Sequence, residues 1–151
     1  MNPPNPTTPD CRVAAERLAR YFDTLRPDTL YEVAQYYAAD ARFKDPFNDV
    51  RGLPAIEKIF VHMFKQVEQP RFVVKTRVIQ QSDAFLTWDF LFAMKSLGDG
   101  QQCISGATHI SFDMEGAVIL HRDYWDAAEE LYEKLPLVGR LMRFLKTRMA
   151  A

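Results

Sequence analysis

Four strand-like runs follow one another through the second half of this chain, at 71–80, 84–96, 101–113 and 117–126. Asp99-Gly100 and Glu115-Gly116, set between apolar runs, are hairpin signals, so these strands are expected to be sequential antiparallel neighbours. What precedes them is mostly helical in pattern, and the layout is therefore α+β, with helices first and a meander after.

From Asp10, a plausible N-cap, the apolar set Val13, Ala14, Leu18, Tyr21, Phe22 and Leu25 follows helical spacing, and the helix should end before Pro27. Asp28 can cap a second helix with Leu30, Val33, Ala34 and Tyr37 inward. "ARFKDPF" reads as a short strand stopped by Pro46, and "NDVRG" as a turn-rich loop. Pro54 opens a third helix whose Ile56, Ile59, Phe60, Met63, Phe64 and Val67 repeat at three or four.

Beyond residue 126, "AAEELYEKL" has a helical pattern, Pro136 interrupts, and "LVGRLMRFLKTRM" reads as a further helix. Its apolar side holds Leu137, Val138, Leu141, Met142, Leu145 and Met149, and its other side Arg140, Arg143, Lys146 and Arg148. The domain plan is a disordered proline-rich tail at 1–9, one domain at 10–134 and an amphipathic C-terminal helix at 135–151.

Composition removes several classes of function. At 151 residues, 48% apolar, the chain suffices for a single buried core. Its 19 basic residues against 20 acidic ones give no basic footprint for nucleic acid. Cys11 and Cys103 form no metal-binding motif, which suggests a reduced, cytoplasmic protein. There is no secretory signal pattern and no apolar run near the ~20 residues of a membrane span.

The stretch "HRDYWD", His121 to Asp126, concentrates the chemistry. Alternation along a strand puts His121, Asp123 and Trp125 on one face and Arg122, Tyr124 and Asp126 on the other. Asp89 interrupts "AFLTWDFLFAM" in the same way, and Asp45 stands in the first strand. An ionised aspartate buried without partners costs several kcal/mol, so three such acids in a small sheet favour a shared cavity. Each has a plainer reading beside it. Asp45 before Pro46 can form a turn, Asp89 can pair with Arg122 or another basic residue, Asp126 can cap the next helix, and His121 can be a satisfied strand histidine.

Taken in order, "ARYFDTL", "YYAADARFKDPFNDVRG", "AIEKIF" and "FDMEGAVILHRDYWD" resemble the nuclear transport factor 2-like superfamily over about residues 10–130. Its members include ketosteroid isomerases, SnoaL-like polyketide cyclases and limonene epoxide hydrolases. The resemblance implies a cone: a curved antiparallel sheet packed on N-terminal helices, enclosing an apolar pocket, usually in a homodimer. The outer sheet face, with Arg122 and Tyr124, is the expected dimer contact.

The resemblance also implies roles. Against the isomerases, Tyr21 matches the oxyanion-hole tyrosine and Asp45 the proton-shuttling base, with Tyr124-Trp125 in the pocket wall. Thr108 stands where those enzymes carry a second, protonated aspartate. Against the epoxide hydrolases, Asp123 matches the water-activating base and Asp89 the acid, with Thr87 near the place of the arginine between them; Phe43 and Asp45 replace the tyrosine and asparagine that hold the water. The candidate catalytic set is therefore Asp45, Asp89, Asp123, Tyr21 and His121, with Trp125, Thr108, Phe43, Phe60 and Phe64 contacting substrate.

No cofactor and no metal are expected. The ligand class is a hydrophobic small molecule, either turned over by acid-base chemistry or simply bound. The C-terminal helix is expected to pack on its own domain; the alternatives are an anionic membrane surface or the pocket mouth of a partner subunit.

Overall fold

The computed structural model describes residues 11–132 and 138–149. In chain order it contains α1 (Cys11–Asp23), a 3-10 turn at Leu30–Gln35, β1 (Tyr37–Lys44), β2 (Asp49–Arg51) and α2 (Leu53–Gln66). There follow β3 (Glu68–Gln80), β4 (Asp83–Ala93), β5 (Gln101–Phe112), β6 (Val118–Tyr124), α3 (Ala127–Glu130) and α4 (Val138–Met149). The expected tail, the Asp10 cap and the break at Pro136 lie outside the described residues.

The six strands form one curved, unclosed sheet in the order β2-β1-β6-β5-β4-β3. Strands β3 to β6 are the expected antiparallel meander. At its far side β1 joins β6 in parallel, with Phe43 opposite His121. Helix α1 buries Leu18, Ala19, Tyr21 and Phe22, most of the face its spacing marks out, while Val13 is exposed. Polar contacts join the helix to β3: Asp23 accepts the Val74 backbone N–H at 2.7 Å, and Arg77 pairs with Glu16 at 3.3 Å and with Asp23 at 3.9 Å. Leu18, Ile56, Leu86 and Ile110 are fully enclosed, each contributing about 1.5–3 kcal/mol by burial.

Two local expectations are corrected. The segment after Asp28 is a six-residue 3-10 turn rather than a helix; Leu30 and Val33 are buried, but Ala34 is exposed and Tyr37 starts β1. Sheet pairing overrides the helical spacing here, because the Val118 N–H donates to the Tyr36 carbonyl and Tyr37 takes its place opposite Val118. The loop "NDVRG" contains β2, whose Asp49 receives two bonds from Arg42 at 2.8 and 2.7 Å. Those bonds, with Lys44 beside them, hold the Asp49 carboxyl well below the ordinary carboxylate range.

The C-terminal helix also departs from expectation. Most of the apolar stripe of α4 is not packed on the domain: Leu141 is 56% exposed, Leu145 42% and Met149 85%, while Met142 is partly buried. Lys146 reaches Glu129 at 3.3 Å across to α3. Among the described residues no helix is long and apolar enough to cross a membrane.

Candidate functional site

Between the helices and the inner face of the sheet lies a cavity of about 440 Å³, within the span of small-molecule pockets of ~300–1,000 Å³. Strand alternation builds most of its wall. Leu86, Trp88, Phe90 and Phe92 come from β4, Ile104 and Thr108 from β5, and His121, Asp123 and then Trp125 from β6 and its end. Phe43 of β1, Phe22 of α1 and Phe60 of α2 close the other side.

One chain of hydrogen bonds crosses this apolar wall. The Trp88 indole N–H donates to Thr108 Oγ1 at 2.7 Å, and the Thr108 hydroxyl donates to Asp123 Oδ1 at 2.5 Å. From the other side, His121 Nε2 lies 2.8 Å from the same Oδ1, and the Tyr37 hydroxyl lies 2.6 Å from His121 Nδ1. The donor inventory sets the directions. Indole only donates and carboxylate only accepts, so Thr108 must receive from Trp88 and give to Asp123. His121 must then carry a proton on Nε2, and its Nδ1 pairs with the Tyr37 hydroxyl. Donors from Thr108 and His121 converge on Asp123 Oδ1.

The imidazole is fixed by packing as well. His121 is 3% exposed, with ring centroids of Phe43 at 4.6 Å, Phe22 at 5.7 Å and Tyr37 at 5.9 Å. Burial, and then the nearby Asp123 charge, push the Tyr37 phenol well above its ordinary value, so it remains a donor. Among the described residues, Asp123 Oδ2 accepts no bond, while the side chain lines the cavity.

Gly106 makes the Trp88 contact sterically possible. It sits opposite Trp88 in the β4/β5 register, and a Cβ there would lie 2.5 Å from the indole ring. Only a residue without that atom lets the ring lie across β5 and reach Thr108.

The expected site residues divide. His121, Asp123, Trp125, Thr108, Phe43 and Phe60 line one cavity. Asp45 lies at its wall, but its carboxylate closes its own turn, accepting Phe47 N–H at 2.7 Å, Asn48 N–H at 2.6 Å and the Asn48 side-chain amide at 3.0 Å. Asp89 does not share the cavity. Trp88 and Phe90 face inward, so period two turns Asp89 outward, where Lys75 at 2.7 Å and Ser105 at 2.6 Å hold its carboxyl below the ordinary range.

Tyr21 is likewise outside the cavity wall. It donates to the Leu30 carbonyl at 2.8 Å and stacks on Tyr36 at 4.5 Å, and burial raises its phenol. Phe64 packs against the core without lining the cavity. Asp126 is the cap of α3, accepting from Ala128 and Glu129 N–H.

Sequence reasoning missed Tyr37 as a site residue, and the donor role of Trp88. The signal for Tyr37 was alternation rather than helical spacing: Tyr37, Ala41 and Phe43 share the buried face of β1. Among the described residues no group of three or more His, Cys, Asp or Glu side chains is placed to hold a metal ion.

A curved, unclosed sheet on N-terminal helices is the architecture of the nuclear transport factor 2-like superfamily. Within it the chain belongs to the SnoaL-like domain family, whose pattern matches residues 18–123. Three solved structures share the fold. An LEH-like epoxide hydrolase of M. tuberculosis is 16% identical with a TM-score of 0.67, covering 95% of this chain and 99% of that one. A protein described as a SnoaL-like polyketide cyclase from Jannaschia sp. CCS1 is 12% identical with a TM-score of 0.67, covering 85% and 94%. A protein of ketosteroid isomerase-like fold from Catenulispora acidiphila DSM 44928, solved with trimethylamine, is 17% identical with a TM-score of 0.66, covering 86% and 96%. No curated protein matches the sequence.

Proposed function

We propose that this chain binds a hydrophobic small molecule and moves a proton on it without a cofactor, Asp123 being the base. The observation that carries the reading is the asymmetry of that carboxylate: Thr108 and His121 both address Oδ1, Oδ2 accepts no bond among the described residues, and the side chain lines a largely apolar cavity. A carbon acid bound there gives its proton to Oδ2. The C–H bond breaks, an O–H bond forms, and the electron pair passes to the substrate's carbonyl oxygen. The Trp125 indole N–H, without a hydrogen-bond partner among the described residues and two positions along the same face, is the group proposed to hold that oxygen. Asp123 then returns the proton at a second atom.

This favours isomerase- or cyclase-type chemistry over opening of an epoxide. Epoxide opening calls for an acid beside the base, and of the two other expected acids Asp45 is committed to its turn and Asp89 faces outward. The commitment of those same two acids supports a second reading, in which the cavity only binds its ligand.

The test is hydrogen–deuterium exchange at carbons next to the carbonyl of a panel of apolar ketones, followed by NMR in deuterium oxide, with binding measured in parallel by thermal shift. Exchange that depends on protein and disappears in Asp123→Asn supports the base. Ketones that bind the native chain without exchanging leave only the binding module.

A further inference from the structure

We infer that α4 is an interfacial helix that adsorbs this protein to anionic lipid bilayers. Val138, Leu141, Met142, Leu145 and Met149 fall within one arc of ~100° around the helix, while Arg140 and Arg143 occupy the opposite side and Lys146 and Arg148 flank the stripe at its two edges. The other long helices bury their apolar faces, with Leu18 of α1 at 1% and Ile56 of α2 at 0% exposure. In α4 most of the stripe stays open, from Leu145 at 42% to Met149 at 85%, with Met142 partly buried.

The flanking charge names the occupant. The helix carries Arg140, Arg143, Lys146 and Arg148 and no acidic residue, in a chain whose net charge is −1. An apolar stripe flanked by cations matches a surface that offers hydrocarbon and phosphate together. Pairing with a second α4 would cover the stripe but bring cations beside cations. At twelve residues, ~18 Å long, the helix can lie in such a surface but not cross it.

An exposed ion pair joins the helix to the segment that reaches the cavity wall. Lys146 reaches Glu129 at 3.3 Å, a link in which both side chains are more than half exposed, and Leu131, two residues on, lines the cavity. Adsorption would therefore bring that wall to the medium in which an apolar ligand dissolves; this consequence rests on the ligand class proposed above, whereas the adsorption does not.

The experiment is co-sedimentation of the full chain, without ligand, with vesicles of phosphatidylcholine alone or mixed with phosphatidylglycerol. Binding to the anionic vesicles is expected to be at least ~10-fold tighter than to neutral ones and to weaken at high salt. Leu141→Glu with Leu145→Glu should abolish it, and Arg140→Gln with Arg148→Gln should weaken it ~10-fold, with melting temperatures unchanged because these side chains are exposed. A native chain that stays in the supernatant with anionic vesicles overturns the proposal. So does binding that survives Leu141→Glu with Leu145→Glu, or a dimer in solution that this pair dissociates while vesicles bind nothing, which assigns the stripe to a second copy.

Discussion

Thr108 and Asp123 stand directly opposite each other on β5 and β6, and the Thr108 hydroxyl is at once the acceptor for Trp88 and a donor to Asp123. That double role makes it the joint of the polar chain. Thr108→Val keeps the shape, strips the donor from Asp123 and leaves a buried indole N–H unpaired, a loss of about 1–3 kcal/mol. Thr108→Ser should recover most of it. Urea unfolding of the two variants checks this, and equal losses would show that the threonine methyl, not the hydroxyl, is what matters.

Gly106→Ala is expected to destabilise the protein by about 1–3 kcal/mol, through overpacking against Trp88 rather than through helix or strand propensity. The displaced indole should lose its bond to Thr108. In a Trp125→Phe background, the Trp88 emission spectrum reports this directly; an unchanged spectrum and unchanged stability would mean that the ring slides aside freely.

Asp89 and Asp123 should behave oppositely. Asp89→Asn removes a partly exposed pair with Lys75 and should cost no more than about 1 kcal/mol, with ligand-dependent thermal shifts intact. Asp123→Asn should remove proton exchange on bound ketones. Loss of exchange in Asp89→Asn with its fold preserved would contradict the outward placement of that carboxylate.

Stability should fall at both ends of the pH scale. The carboxyls of Asp49, Asp83 and Asp89 are held below their ordinary range by Arg42, by Ser111 and His109, and by Lys75 and Ser105 respectively. The unfolded chain therefore binds protons first on acidification, so this stabilisation is complete above about pH 4 and is lost below it. The raised Tyr37 phenol works in reverse: the unfolded chain releases its proton first, and stability declines as pH rises beyond about 10. Melting temperatures across pH measure both limbs, and Tyr37→Phe should reduce the alkaline one, leaving the share of the raised Tyr21 phenol.

The sequence alone determined the meander, the division of β6 into two faces and most of the helical faces of α1 and α2, Val13 being the exposed exception. These depend on periods of two and of three to four residues and on turn chemistry at glycine, all of them local. Residues such as Asp123, Trp125 and Asp126 were placed from alternation and capping rules.

Tertiary structure decided which polar groups meet. Tyr37 joined His121 because parallel pairing of β1 with β6 drew it out of a helical pattern, across 84 positions of sequence. Asp89 left the expected cluster because Trp88 and Phe90 took the inner face, and Asp45 because its own turn offered nearer donors. An isolated aspartate reads the same in sequence whether it faces a cavity, a lysine or its own backbone. The difference lies in partners supplied by other strands, and the exposed stripe of α4 is the same kind of fact: amphipathicity is local, but what covers it is not.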